Sequence, residues 1–136
     1  MLDLKFRVPD LEGFKLKVDL EEILDESAAF LLSRILTRYM AELDPDGKPW
    51  VPSKAGMARR LKGGTGTLFD TGRLYRSIQV YNDGEGKRRI GTDVPYGLIH
   101  QKGLRGFPVR KFIGFSKDDE VMVRQIVEMR VKEMLK

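Results

Sequence analysis

The sequence has no cysteine, one histidine and one tryptophan among 136 residues. Without thiols there is neither a disulfide framework nor a thiolate site, which agrees with a reducing compartment. His100 is the sole imidazole, so a transition-metal centre would need carboxylates from elsewhere. No His-x-x-His or Glu-x-x-His spacing supplies one. Long apolar runs are missing too, and no membrane span is expected. The first ten residues, MLDLKFRVPD, carry a charge every second or third position. They lack the apolar core of a signal peptide, so synthesis and folding in the cytosol are expected. No Gly-x-Ser-x-Gly elbow is present. The glycine-rich run Lys62–Thr67 lacks the Lys-Ser/Thr pair and the preceding strand of a phosphate loop. Zinc-finger spacings, aromatic stacking motifs and helix-turn-helix signatures are also absent. No enzymatic activity, cofactor or metal is therefore expected.

What is present fits a single domain over residues 1–136. Hydrophobic residues make up 41% and charged residues 33%. That balance suits a small protein with much surface, or one whose apolar edges are finished by a partner. The net charge of +5 is unevenly spread. Residues 19–43 carry six acids against Arg34 and Arg38. Residues 54–62 carry Lys54, Arg59, Arg60 and Lys62 with no acid, and residues 85–111 carry seven bases against Glu85 and Asp93. An acidic segment thus precedes two basic ones. A solvated face, a nucleic-acid footprint and complementary faces between identical subunits all produce such a pattern.

Leu2, Leu4, Phe6 and Val8 alternate with Asp3, Lys5 and Arg7, the period of a half-buried strand. Phe14, Leu16 and Val18 alternate again after Gly13, so residues 1–18 are expected to form a hairpin. Asp19 and Glu22 sit where a helix cap would place them. Leu20, Ile23, Leu24, Ser27, Leu31, Ile35, Tyr39 and Leu43 then recur at three or four residues. This predicts a helix over 19–43, roughly 35 Å long at about 1.5 Å per residue. Ala28, Leu32, Leu36 and Met40 widen its apolar face, as for a helix touching more than one neighbour. Trp50, between Pro49 and Pro52, is expected to plug the edge of a core. Ser53 can cap a short basic helix over 54–62. A hairpin over 77–92 turns at Asp83-Gly84-Glu85-Gly86.

Arg89–Ser116 holds the histidine, two prolines and five glycines. Pro95 can start a short helix over 94–102 and Gly103 can end it. His100 is expected to hydrogen-bond a backbone carbonyl there. A basic loop follows, and apolar residues at Phe107, Val109, Phe112, Ile113 and Phe115 return the chain to the core. Ser116 is expected to cap a final helix over 116–136, with Asp118, Asp119 and Glu120 in its first turn. Val121, Met122, Ile126, Met129 and Val131 are its expected inward residues. The fold class read from these elements is α+β, with the long N-terminal helix and the C-terminal helix packed on an antiparallel sheet of about four strands.

Four stretches, in this order, resemble the phage virion morphogenesis and tail completion proteins. They are Asp46–Pro52 (DGKPWVP), Leu68–Ile78 (LFDTGRLYRSI), Ile90–Gly103 (IGTDVPYGLIHQKG) and Pro108–Ser116 (PVRKFIGFS). The structural positions within them are Trp50, Gly72, Leu74, Tyr96, His100, Gln101, Pro108, Arg110 and Phe112. The chain departs from the family pattern at Gly97, where alanine is frequent, and has Lys111 after Arg110. The resemblance implies a non-enzymatic virion protein, made in the host bacterial cytoplasm. It implies a ring, hexameric by analogy, at the neck or tail end that completes the tail and allows head–tail joining. Its implied partners are copies of itself, a head connector or stopper, and tail tube or sheath proteins.

Segments 44–53, 62–67 and 102–107 are expected to be flexible and to order on docking. Lys62, Gly63, Gly64 and Thr65, with Lys102, Gly103, Leu104, Arg105, Gly106 and Phe107, are the expected subunit or partner contacts. A competing reading is a DNA-contacting protein. In that reading Arg59, Arg60, Arg88 and Arg89, with Arg105 and Arg110, touch phosphates in a ring lumen.

Overall fold

The three-and-four spacing of apolar residues closes into one helix, α1 (Lys17–Met40). It buries Ile23, Leu24, Ser27, Ala28, Leu31, Ile35 and Tyr39, which lie along one face. Each fully buried Leu or Ile there is worth about 1.5–3 kcal/mol. In the computed structural model, residues 2–6 and 17–134 are described. Around α1 stand β1 (Leu2–Phe6), α2 (Lys54–Leu61), α3 (Arg73–Ser77), β2 (Gln79–Asn82), β3 (Arg88–Thr92), α4 (Tyr96–Lys102) and α5 (Lys117–Met134). The class is α+β.

Three antiparallel strands lie in the order β1-β3-β2 among the described residues, not about four. β1 pairs with β3 from Leu2 opposite Thr92 to Phe6 opposite Arg88. The expected partner for β1, a strand over residues 14–18, does not form as drawn. Lys17 and Val18 already belong to α1, and residues 14–16 lie outside the described residues. The helix also starts before Asp19, which therefore is not its cap. Acidic side chains in this first part of α1 instead face the start of the central strand β3, where Arg88 bonds Glu21 at 2.5 Å and Asp25 at 2.6 Å.

The core gathers on Tyr39. Its ring meets Trp50, Tyr75 and Phe112 edge-on, with centroids 5.2, 5.4 and 5.8 Å away. Its hydroxyl donates to the Leu68 carbonyl at 2.5 Å. Leu31, Ile35, Leu74, Ile78, Ile90, Val94 and Ile113 complete the cluster. Trp50 plugs its edge, as expected, with Nε1 donating to the Lys111 carbonyl at 2.9 Å.

α5 packs chiefly on α1, which itself lies on β2 and β3. The expected inward face of α5 is corrected: Val121, Met122 and Met129 are exposed, and Asp119 and Val127 are buried. Charge sets this rotation. Asp119 is 1% exposed and is ion-paired with both Arg34 and Arg38, one turn apart on α1. Farther along α5, Arg130 pairs with Glu26 at 3.1 Å. Asp119 also completes a capping box, since Ser116 Oγ accepts from its N–H at 3.1 Å and its Oδ2 accepts from the Ser116 N–H at 3.0 Å.

Burial pushes the Asp119 carboxyl up. Hydrogen bonds from Ser116, Arg38 and Arg34 outweigh burial and hold it below its ordinary value. Asp119→Ala is expected to cost about 3 kcal/mol in urea unfolding at neutral pH, because it strands the largely covered Arg38 and removes the cap. With a lowered native value, the stabilisation is present above about pH 3.9 and is lost as pH falls from there. The gap between wild type and Asp119→Asn should therefore close in acid. A gap that is the same at about pH 3 and at neutrality contradicts this account.

Candidate functional site

Residues 110–113 form no strand, yet they are held on two sides. The Gln101 side chain clasps them from α4: its Oε1 accepts from the N–H groups of Phe112 at 2.9 Å and Ile113 at 3.2 Å, and its Nε2 donates to the Ile113 carbonyl at 2.7 Å. From the other side, the Trp50 indole takes the Lys111 carbonyl. Arg110 is buried and donates from Nε to the Val51 carbonyl at 2.6 Å. The backbone N–H of Arg110 donates to the His100 carbonyl at 2.8 Å. One long amide and one indole thus replace a strand partner.

Between these anchors, residues 103–109 make a closed excursion. Gly103 ends α4 with φ 66° and ψ 46°, a conformation that favours glycine. A Cβ there would stand 2.8 Å from Val109 Cγ2 and 3.0 Å from the Phe107 carbonyl oxygen. The Leu104 N–H donates to Ile99 and the Phe107 N–H to Leu104. The loop is hydrogen-bonded internally, where a flexible segment was expected. It displays Leu104, Phe107 and Val109, which are 42%, 48% and 60% exposed. Phe107 and Val109 therefore do not return the chain to the core; that return begins at Arg110.

His100 is corrected as well. Its Nδ1 is buried and has no hydrogen-bond partner among the described residues. Its ring is edge-on to Tyr96 at 6.4 Å and to Phe107 at 5.4 Å. Burial, and then the nearby Arg110 charge, hold the imidazole below its ordinary value.

The other expected positions divide. Leu74 and Phe112 are in the core. Gly97 is buried where α4 crosses it, and a Cβ would meet Leu74, Thr92 and Phe112 at 3.1–3.3 Å. Alanine would crowd all three. Gly72 opens α3 with φ 80°. Tyr96 is partly exposed with the Arg73 guanidinium over its ring at 5.8 Å, and Pro108 is exposed.

Neither of the other two expected flexible segments is loose. Asp44 Oδ1 accepts from the N–H groups of Asp46 and Lys48, and Trp50 N–H donates to Glu42. After α2, Gly64 N–H donates to Arg59, and Thr67 N–H donates to the Glu42 carboxylate at 2.7 Å. Lys62, Gly63 and Gly64 remain on the surface, with Thr65 half-buried and bonded to the Phe69 carbonyl.

Several arginines expected to touch phosphate are held by groups of the same chain. Arg88 is 3% exposed and held by Glu21 and Asp25. Arg110 is buried, Arg59 donates to the Gly66 carbonyl at 2.6 Å, and Arg60 pairs with Glu42. Arg89 lies over the Tyr81 ring at 5.1 Å. Arg105 stays exposed on the apolar loop.

One surface has no counterpart among the expected sites. An open groove of about 590 Å³ runs along α1, lined by Ala29, Leu32, Leu36, Met40 and Tyr75 with Ser33 and Thr37. Its signal was the second apolar stripe of α1, of which Ala28 is buried, Leu32 and Leu36 are half-buried against the core and Met40 is exposed. Among the described residues no cluster of three or more acidic or histidine side chains is arranged to hold a metal. No helix there is long and apolar enough to cross a membrane.

The model of the phage virion morphogenesis family matches residues 13–132. The chain belongs to that family. No curated protein and no solved structure matches it. The match spans the groove, the Gln101 clasp and the exposed loop, so these belong to a phage structural protein.

With a single histidine in the chain, one imidazole proton resonance reports His100 directly. Its NMR titration midpoint is expected below about 6.5. Because the native value is lowered, stability should be full above that pH and fall as pH drops through it. His100→Phe should not show that loss. A midpoint at or above the free-imidazole value contradicts the burial described.

Proposed function

We propose that this protein assembles as a ring at the neck or tail end of a tailed phage or phage-like particle, completes the tail and allows head–tail joining. The observation that carries the reading is the family match over residues 13–132. A surface suited to protein contact supports it. The 103–109 loop presents Leu104, Phe107 and Val109, α5 presents Val121, Met122 and Met129, and α1 carries an open apolar groove. Six copies would close the ring, with a head connector or stopper on one side and tail tube or sheath proteins on the other. The protein is made in the host cytoplasm and acts in the virion.

A second reading, contact with DNA in the ring lumen, draws on the exposed bases of residues 54–62 and of Lys102, Arg105 and Lys111. It is the weaker one, because Arg88 and Arg110 are buried.

Particles made without this protein should accumulate as filled heads and separate tails, and adding the purified protein should restore joined, infectious virions. Normally joined particles in its absence would overturn the proposal. Duplex binding measured against salt separates the second reading. Assembly alone gives no binding at about 50 mM salt, whereas phosphate contacts give a log–log slope of about −0.9 per phosphate neutralised.

A further inference from the structure

The same chain carries both halves of a contact that it does not make with itself. One half is the groove on α1, walled by Leu32, Leu36, Met40 and Tyr75. The other is the 103–109 loop, with Leu104, Phe107 and Val109 turned outward. We propose that the loop of one copy seats in the α1 groove of the next. The proposal rests on the ring reading and names the contact that would build it.

Three observations select a second copy as the occupant. The first is preorganisation. Gly103 and the hydrogen bonds from Leu104 to Ile99 and from Phe107 to Leu104 already turn the loop outward, so docking has less chain left to order. The second is charge. The loop and its flanks carry Lys102, Arg105 and Lys111 on the surface. The groove runs on from the acidic part of α1, where Glu21, Glu22, Asp25 and Glu26 outnumber the arginines paired with them, Arg88 and Arg130, and leave that end of the helix net negative. The third is topology. The loop and the groove are different patches of one chain, so the contact is head-to-tail; it propagates until the rotation closes a ring.

The absence of cysteine makes the test direct. Met40→Cys puts one thiol in the groove, Leu104→Cys puts one on the loop, and Lys87→Cys on the distant hairpin serves as control. All three positions are exposed, so the fold is kept. Equal mixtures of M40C and L104C, treated with a short bis-maleimide, should give a covalent species of twice the 15.6 kDa chain. Either variant mixed with K87C should give at least about tenfold less, since a specific contact raises local concentration. Native mass spectrometry of the wild type is measured in parallel.

Cross-linked pairs together with a closed wild-type ring support both the contact and the ring. Cross-linked pairs with open chains of copies keep the contact and overturn the ring. A closed ring without M40C–L104C cross-links overturns this contact and leaves the ring standing. Equal cross-linking to K87C, or no pairing of any kind, overturns the contact.

Discussion

Tyr39 is the side chain on which the rest converges. It sits near the end of α1, and three rings from three separate segments lean on it: Trp50 from a turn, Tyr75 from α3 and Phe112 from the return after α4. None of these segments belongs to the sheet. A three-stranded sheet of four- and five-residue strands cannot organise a domain of this size alone. Edge-on aromatic contacts with polar tips do it instead. The Tyr39 hydroxyl needs an acceptor when buried and takes the Leu68 carbonyl; the Trp50 indole takes that of Lys111. Each ring therefore fixes a loop as well as filling space. Burial also raises the Tyr39 hydroxyl's proton affinity, so it stays a neutral donor.

Electrostatics settle orientation where apolar packing leaves it open. α5 offers apolar residues on more than one side, and a helix of that kind can roll. Asp119 stops the rolling by reaching two arginines one turn apart on α1, and Arg130 repeats the constraint toward Glu26. Arg88 does the same for β3 against Glu21 and Asp25. The pairs with a buried member, at Asp119 and Arg88, add little net stability but penalise every arrangement that separates them; the exposed Arg130–Glu26 pair adds a weaker constraint. The positive net charge consequently overstates the basic surface. Some of the most promising arginines face carboxylates or carbonyls of the same chain.

Much of the architecture was legible because it rests on local rules. The α1 face from Ile23 to Tyr39 follows helical spacing, the 83–86 turn marks its hairpin, and Ser53 and Gly103 act as the caps their chemistry predicts. The misses are non-local. Asp119 read as an ordinary helix-start acid because its partners are 81 and 85 residues away. Phe107 and Val109 read as core because alternation cannot say on which side of a Gln101 clasp a residue falls. The absence of a hydrogen-bond partner for His100 Nδ1 among the described residues depends on the surrounding packing, which no motif encodes. Of the candidate contacts, the 102–107 loop was legible from its glycines and bases. The α1 groove was visible only as a widening of an apolar stripe, read as a helix touching more than one neighbour.

That widening has a physical meaning once the loop is seen to hold its apolar side chains outward. A soluble monomer gains nothing by holding Leu104, Phe107 and Val109 in water on a loop whose conformation is fixed at both ends. Loose polar residues would cost less. Nor does α1 need Met40 in water beside Leu32 and Leu36, which are themselves only half-buried against the core. Either feature alone is an ordinary exposed patch. Together they are an apolar projection and an apolar recess on separate parts of one chain, flanked by opposite charge. That pairing favours association along an open direction over a closed symmetric pair, because a projection cannot satisfy its own likeness. The phage family to which the chain belongs makes such association useful. The chemistry of the loop and the groove makes it favourable, because joining them removes from water apolar surface that the monomer cannot bury.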